Sequence, residues 1–172
     1  MAILIISGGQ TGADIAGLMA AKEVGFNTGG FAPKGFKTEL GSNLMLKTHY
    51  HLKETSSSGC TIRTRMNVDW ATISIVFSDD SQSKGTLYTI SYCKKANKPY
   101  LLLSSFDTNA VQSILDFIKP YIGFDKHCTI NIVGNRASKA PGIQDRVFSI
   151  LVDVFHNFSI FTNIYSKCRH KK

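Results

Sequence analysis

The stretch ILIISGGQTGADIAGLMAAKEVG, residues 3–25, decides the fold. Residues 3–6 form an uninterrupted apolar run, the pattern of a strand buried on both faces. Residues 11–24 are rich in alanine and bring Ile15, Leu18 and Met19 to one side, the pattern of a helix. Between them lies the turn SGGQTG, residues 7–12, whose glycines permit positive φ and close approach of the backbone to a ligand. The first amides of a helix opening from such a turn attract an anion, which makes Gly8, Gly9, Gln10, Thr11 and Gly12 candidate binding residues. A tight strand-to-helix connection with no ligand satisfies the same spacing. Asp14 adds a carboxylate, either to a site or as a complement to the helix dipole. No Gly-Lys-Ser/Thr follows, which excludes a Walker loop. Ser7 stands where a dinucleotide fingerprint needs its first glycine, and no acidic residue ends a second strand near Phe31.

The same alternation continues along the chain. ATISIVF, residues 71–77, repeats the strand pattern and is followed by a polar, glycine-containing turn and a helical stretch over 86–96. PYLLL, residues 99–103, is a further strand, and Val111, Ile114, Leu115 and Ile118 mark a helix that Pro120 helps to end. CTINIV, residues 128–133, precedes GNRASKAPG, after which Val147, Ile150, Leu151, Val154, Phe155 and Phe158 recur at helical spacing. This order predicts an α/β fold, a Rossmann-like doubly wound and mainly parallel sheet with helices on both faces. Right-handed crossovers would gather the turns that follow the strands at one edge, the usual ligand crevice. At 172 residues and 43% hydrophobic, the chain reads as a single domain over 1–158 with an apolar, then basic, tail over 159–172.

The formal charge of +8 is not spread evenly. Lys167, Arg169, Lys171 and Lys172 crowd the last six residues and leave 16 basic against 12 acidic residues elsewhere. A solvated tail explains this better than nucleic-acid or membrane binding, because no aromatic residues interleave with its cations. Mild basicity in the remainder suits anionic ligands. Cys60, Cys93, Cys128 and Cys168 are scattered without a C-x-x-C pair, so neither zinc nor a disulfide framework is indicated, and they read as reduced, mostly buried thiols. His49 and His51 lie two apart with no recognisable third ligand and read as surface histidines, so no metal is assigned. No apolar run reaches the roughly 18 residues that span a bilayer, and no signal-type leader is evident; the expected location is cytoplasmic.

Five stretches carry a resemblance to a known family: GGQTGAD (8–14), GGFAPKG (29–35), LKETSSSG (52–59), RTRMNV (63–68) and INIVGNRASKAPGI (130–143). In this order they resemble motifs of the molybdenum-cofactor carrier proteins, in the YpsA-related branch of the SLOG superfamily that also contains the LOG phosphoribohydrolases and DprA-type proteins. The resemblance runs from about residue 3 to about 155. It implies a Rossmann-like sheet with a nucleotide-type or cofactor-type ligand in the crevice above it, and an oligomer. At the matching positions, Lys34 before Gly35 is suited to directing an ammonium at a phosphate, or is a solvated loop lysine. Arg63 and Asn67, four apart, would share a helix face and clamp phosphate and sugar or base edges; Arg63 would otherwise pair with Glu54 or Glu39. Asn135, Arg136, Ser138 and Lys139 bring cations and hydrogen-bonding groups to the crevice edge, unless they form a plain surface loop.

The departures from the family are equally specific. SKGTLYT, residues 83–89, keeps Gly85, Thr86 and Thr89 but has Lys84 where relatives have a glycine. LOG enzymes end a longer glycine-rich motif with a catalytic glutamate, and Thr89 holds the comparable place; a hydroxyl cannot stabilise a developing cationic sugar as a carboxylate does. Ile15 stands where many relatives have arginine, and Leu40 interrupts an acidic pair beside Glu39. Three function classes follow. The first is a non-catalytic carrier or binding protein for a phosphate-bearing small molecule, molybdenum cofactor or nucleotide. The second is a hydrolase of an N-glycosidic or phosphate bond relying on Asp14 or Glu39, and the third is a sensor or sponge of nucleotide signals such as cyclic ADP-ribose derivatives. Self-association to a dimer or tetramer is expected from the family resemblance and from HNFSIFTNIY, residues 156–165, where a monomer would expose Phe158, Ile160, Phe161, Ile164 and Tyr165 unless the segment folds back on its own sheet.

Overall fold

A computed structural model describes residues 2–123 and 127–169, with side chains described over 3–123 and 127–158. The chain opens with strand β1 (Ala2–Ile6), helix α1 (Ala13–Val24) and strand β2 (Asn27–Gly29). A segment of short elements follows: β3 (Phe31–Ala32), a 3-10 turn (Lys34–Phe36), β4 (Lys37–Thr38), β5 (Gly41–Ser42), α2 (Met45–Thr48) and β6 (Lys53–Glu54). The second half contains α3 (Cys60–Trp70), β7 (Ile73–Phe77), α4 (Lys84–Lys95), β8 (Tyr100–Leu103), α5 (Ala110–Ile118), β9 (His127–Gly134) and α6 (Ile143–Arg169).

Five strands form one parallel sheet in the order β2-β1-β9-β7-β8. The expected Rossmann-like α/β fold is therefore the observed one. β7 is buried at every position, as its continuous apolar run requires. Ile5, Ile73, Ile75, Ile130 and Ile132 face a core shared with α1, α5 and α6, while α3 and α4 lie against the other face. On that second face Ser74 and Asn131 are buried, and Asn131 Nδ2 donates to Ser74 Oγ at 3.2 Å. α1 lies close to the sheet because Ala13, Ala16, Gly17, Ala20 and Ala21 are small and buried. Its other side carries Leu18 into a satellite core with Ala32, Phe36, Leu46, Tyr50 and Leu52, which anchors the short-element segment.

From β1 the chain steps outward to β2, and from β7 it steps outward to β8 in the opposite direction, with β9 filling the centre. Such a reversal leaves a crevice at the carboxyl ends of the strands. Gly9 follows β1 and Asn135 follows β9, two adjacent parallel strands, so these turns meet at one end of the sheet; the Ala13 amide donates to the Asn135 carbonyl at 3.2 Å. α6 runs unbroken to Arg169, so the domain boundary expected at residue 158 falls inside a helix, and the stretch 156–165 is helical rather than a segment beyond the last helix. The side chains of Ile160, Phe161, Ile164 and Tyr165, and the basic groups of the tail, lie outside the described residues. Phe158 is buried and packs against Phe155. Among the described cysteines, Cys93 and Cys128 are buried free thiols and Cys60 is a half-buried one; burial pushes Cys128 up to about 11.

Candidate functional site

A cleft of about 690 Å³ opens above the carboxyl ends of β1, β9 and β7. Its walls hold Gln10 and Asp14 from the first turn and helix, Cys60, Arg63 and Thr64 from α3, and Asp80 and Ser83 from the turn after β7. Lys84, Gly85, Tyr88 and Thr89 of α4 and Arg136, Ser138 and Lys139 of the turn after β9 also line it. Of the residues singled out by sequence, the fold thus draws Gln10, Asp14, Arg63, Lys84, Gly85, Thr89, Arg136, Ser138 and Lys139 into one wall.

Both α3 and α4 begin at this cleft, and neither is capped by a side chain: Gly59 has none, and Ser83 makes no side-chain cap bond. Their first amides and the positive ends of two helix dipoles therefore face the same space. A Cβ at Gly85 would meet no atom within 4 Å, so the start of α4 is open to close approach. Among the described residues, Lys84 and Lys139 form no ion pair, and Arg136 Nη2 lies 3.7 Å from Cys60 Sγ.

Arg63 is more occupied than its spacing implied. Its Nη1 donates to Asp14 Oδ2 at 3.1 Å, rather than to Glu54 or Glu39. Burial raises the Asp14 carboxyl above its ordinary value, opposed by the Arg63 charge and by the Gln10 and Gly134 amides. Asp14 is thus more than a complement to the helix dipole: it is the counter-ion that lets a buried arginine form the cleft floor. Among the described residues, Arg63 Nε is buried with no hydrogen-bond partner. Gly8 owes its place to this guanidinium, since a Cβ there would lie 1.8 Å from Nη1.

Several other expected ligand groups are spent on the fold. Gly9 has φ of 70°, and its missing Cβ would strike Leu46 and Leu52 at 2.7 and 3.0 Å, so it serves the satellite core rather than the cleft. Gly12, at φ of 81°, allows the Asn135 carbonyl and Ala137 amide to pass, 2.4 and 2.7 Å from where a Cβ would sit. Asn67 does not share a clamp with Arg63: it is fully buried, accepts from the Phe31 amide at 2.8 Å and donates to the Phe31 carbonyl at 3.0 Å, pinning β3. Asn135 accepts from the Asp79 and Asp80 amides at 2.6 and 2.8 Å and donates to Thr86 Oγ1 at 3.0 Å, which shapes the turn before α4. Thr86 donates on to Ser83 Oγ, and Thr89 donates to the Gly85 carbonyl. Lys34 and Gly35 sit outside the cleft wall on the exposed 3-10 turn, where the Lys34 amide donates to the Ser57 carbonyl and the Gly35 amide to Glu54.

Thr11 is also outside the wall, held by an unanticipated partner. Its hydroxyl donates to Glu39 Oε1, while Ser138 gives Glu39 its amide at 3.3 Å and its hydroxyl at 2.5 Å. Burial opposes ionisation of Glu39, but the hydrogen bonds from Ser138 and Thr11 outweigh it and hold the carboxyl below its ordinary value. Sequence reasoning also missed Cys60, Asp80 and Tyr88. Cys60 opens α3, a helix with no side-chain cap to announce it, and Tyr88 carries no signal, since only the tertiary fold turns it toward the cleft.

The sequence pattern of the circularly permutated YpsA SLOG family matches residues 5–155. Among solved structures, a candidate molybdenum carrier protein of Syntrophus aciditrophicus SB superposes with a TM-score of 0.76 at 29% identity, covering 88% of this chain and 93% of its own. No curated protein sequence matches.

Proposed function

Because the chain belongs to the circularly permutated YpsA SLOG family, we propose that its cleft binds a phosphate-bearing small molecule, nucleotide-derived or molybdenum cofactor, and that the protein acts as its carrier. The observation that carries this reading is the convergence of two helix starts without side-chain caps with Lys84, Arg136 and Lys139 on one cavity. A phosphate there receives backbone amides and flexible cations together, the combination that binds anions at helix starts. The cavity lies within the range of small-molecule sites. The name of the Syntrophus relative, a molybdenum carrier, favours a cofactor-type cargo. Thr89 is tied into its own helix where a hydrolase of the related kind holds a glutamate, and Asp14 is consumed by Arg63, which favours holding over cleaving.

Calorimetric titration with inorganic pyrophosphate tests this. Binding is expected, with Lys84→Ala, Arg136→Ala and Lys139→Ala each weakening it by about tenfold or more, since a charge-assisted hydrogen bond contributes roughly 1.5 to 3 kcal/mol. Unchanged affinity in all three variants contradicts the assignment. Self-association through the C-terminal part of α6 belongs to the same reading. Light scattering should give a dimer or tetramer that a truncation after His156 dissociates, and a monomeric full chain contradicts it.

A further inference from the structure

Glu39 occupies a position that is hard to explain as simple scaffolding. It sits on the tip of the β4–β5 hairpin, whose strands of two residues each pair only with one another and have no ladder to the main sheet. Next to it Leu40 is 86% exposed, so the tip has almost no apolar anchor. Yet the Glu39 carboxylate receives the Thr11 hydroxyl, the Ser138 amide and the Ser138 hydroxyl, with the Arg136 charge nearby. The Glu39 amide donates to Gln10 Oε1 at 2.9 Å, which also takes the Thr11 amide at 3.1 Å. These donors come from the turns after β1 and β9, and Gln10, Arg136 and Ser138 are cleft residues.

A second half-buried carboxylate at this end of the sheet makes a useful contrast. Asp79 takes Ser104, Ser105 and Arg146, which ties the turns that follow β7 and β8 to α6 within the main body. Nothing there is free to leave. Glu39, by comparison, brings a carboxylate to three convergent donors from a hairpin tip that has no ladder to the main sheet and lies beyond Phe36, the residue that anchors the base of the hairpin in the satellite core. Hydroxyl and amide donors arranged around an oxyanion make the same contacts to a carboxylate as to a phosphoryl oxygen.

Resting on the carrier reading above, we infer that Glu39 is a built-in competitor: its carboxylate fills an oxyanion subsite formed by Thr11 and Ser138, and a phosphate-bearing ligand takes its place as the hairpin swings away. The hairpin is then the latch of the cleft. A ligand must displace the carboxylate to gain these donors, so the chain discriminates against weak or partial anions and releases its cargo when the arm returns. Linkage requires that removing the competitor tighten binding, because the competent state is no longer taxed by the closed one.

The test compares pyrophosphate binding by calorimetry in the full-length wild-type protein, Glu39→Ala and Glu39→Gln, each with a thermal melt to verify folding. Glu39→Ala should bind at least tenfold tighter than wild type, with Glu39→Gln between them because it keeps an acceptor but loses the charge. Adding Ser138→Ala to Glu39→Ala should reverse most of the gain. Equal or weaker binding by a folded Glu39→Ala overturns the latch and leaves the carrier reading standing. Binding by none of the proteins overturns both. Should Glu39→Ala fail to fold, Glu39→Gln decides alone: tighter than wild type supports the latch, and equal or weaker overturns it.

Discussion

Arg63 and Asp14 show how a residue of the cleft depends on one of the fold. The guanidinium is nearly enclosed and its carboxylate partner is deeply buried, so removing Asp14 strands a buried positive charge and removing Arg63 leaves a buried carboxyl without the charge that offsets its burial. Arg63→Ala is expected to cost about 3 kcal/mol or more in chemical denaturation, and Arg63→Ala with Asp14→Ala less than the sum of the two single changes. Additive costs would show that the pair is not coupled. Gly9 makes the opposite point, since its absent side chain protects packing and not ligand space. Gly9→Ala should lower stability by about 2 to 4 kcal/mol, from positive φ and overlap with Leu46 and Leu52, with pyrophosphate affinity near wild type in the folded fraction. An affinity loss without a stability loss would return Gly9 to the binding surface.

The elements divide into those the sequence declares and those it conceals. Continuous apolar runs made β1, β7, β8 and β9 legible at 3–6, 71–77, 99–103 and 128–133 to within a few residues, even though β8 is an edge strand on which Leu102 is exposed. The segment between β2 and α3 was not, because strands of two residues have no periodicity to read. α3 hid for another reason: it buries Arg63, Thr64 and Asn67 beside Val68, so its inner face is polar and lacks the apolar stripe of an amphipathic helix. Likewise, the glycine turn and the basic residues around 134–139 announced a crevice, but which donors face it depends on partners such as Glu39, Phe31 and Leu46, remote in sequence. The Asp79 network ties the ends of β7 and β8 to α6 and supplies a pH prediction. Burial opposes ionisation there, but bonds from Ser105, Ser104 and Arg146 prevail and hold the carboxyl below its ordinary value. A carboxyl whose pKa is lowered by folding contributes stability above the ordinary carboxylate range and loses it as pH falls through the folded value. The melting temperature of wild type should therefore fall more steeply below about pH 4 than that of Asp79→Asn. Parallel acid limbs would contradict this.

At the scale of the whole molecule, sheet order, helix starts and surface charge all bear on the same edge. The reversal of strand order opens the crevice, α3 and α4 begin there, and Lys84, Arg136 and Lys139 stand on its wall. Among the described residues no helix is long and apolar enough to cross a membrane. The central claim is that this edge holds a phosphate-bearing small molecule, and native mass spectrometry of the full chain purified from its own cell tests it most directly. The account predicts a species heavier than the bare chain by a ligand that releases phosphate on digestion, and its depletion in Arg136→Ala with Lys139→Ala. A retained ligand without phosphate, or one undiminished in that double variant, would contradict it.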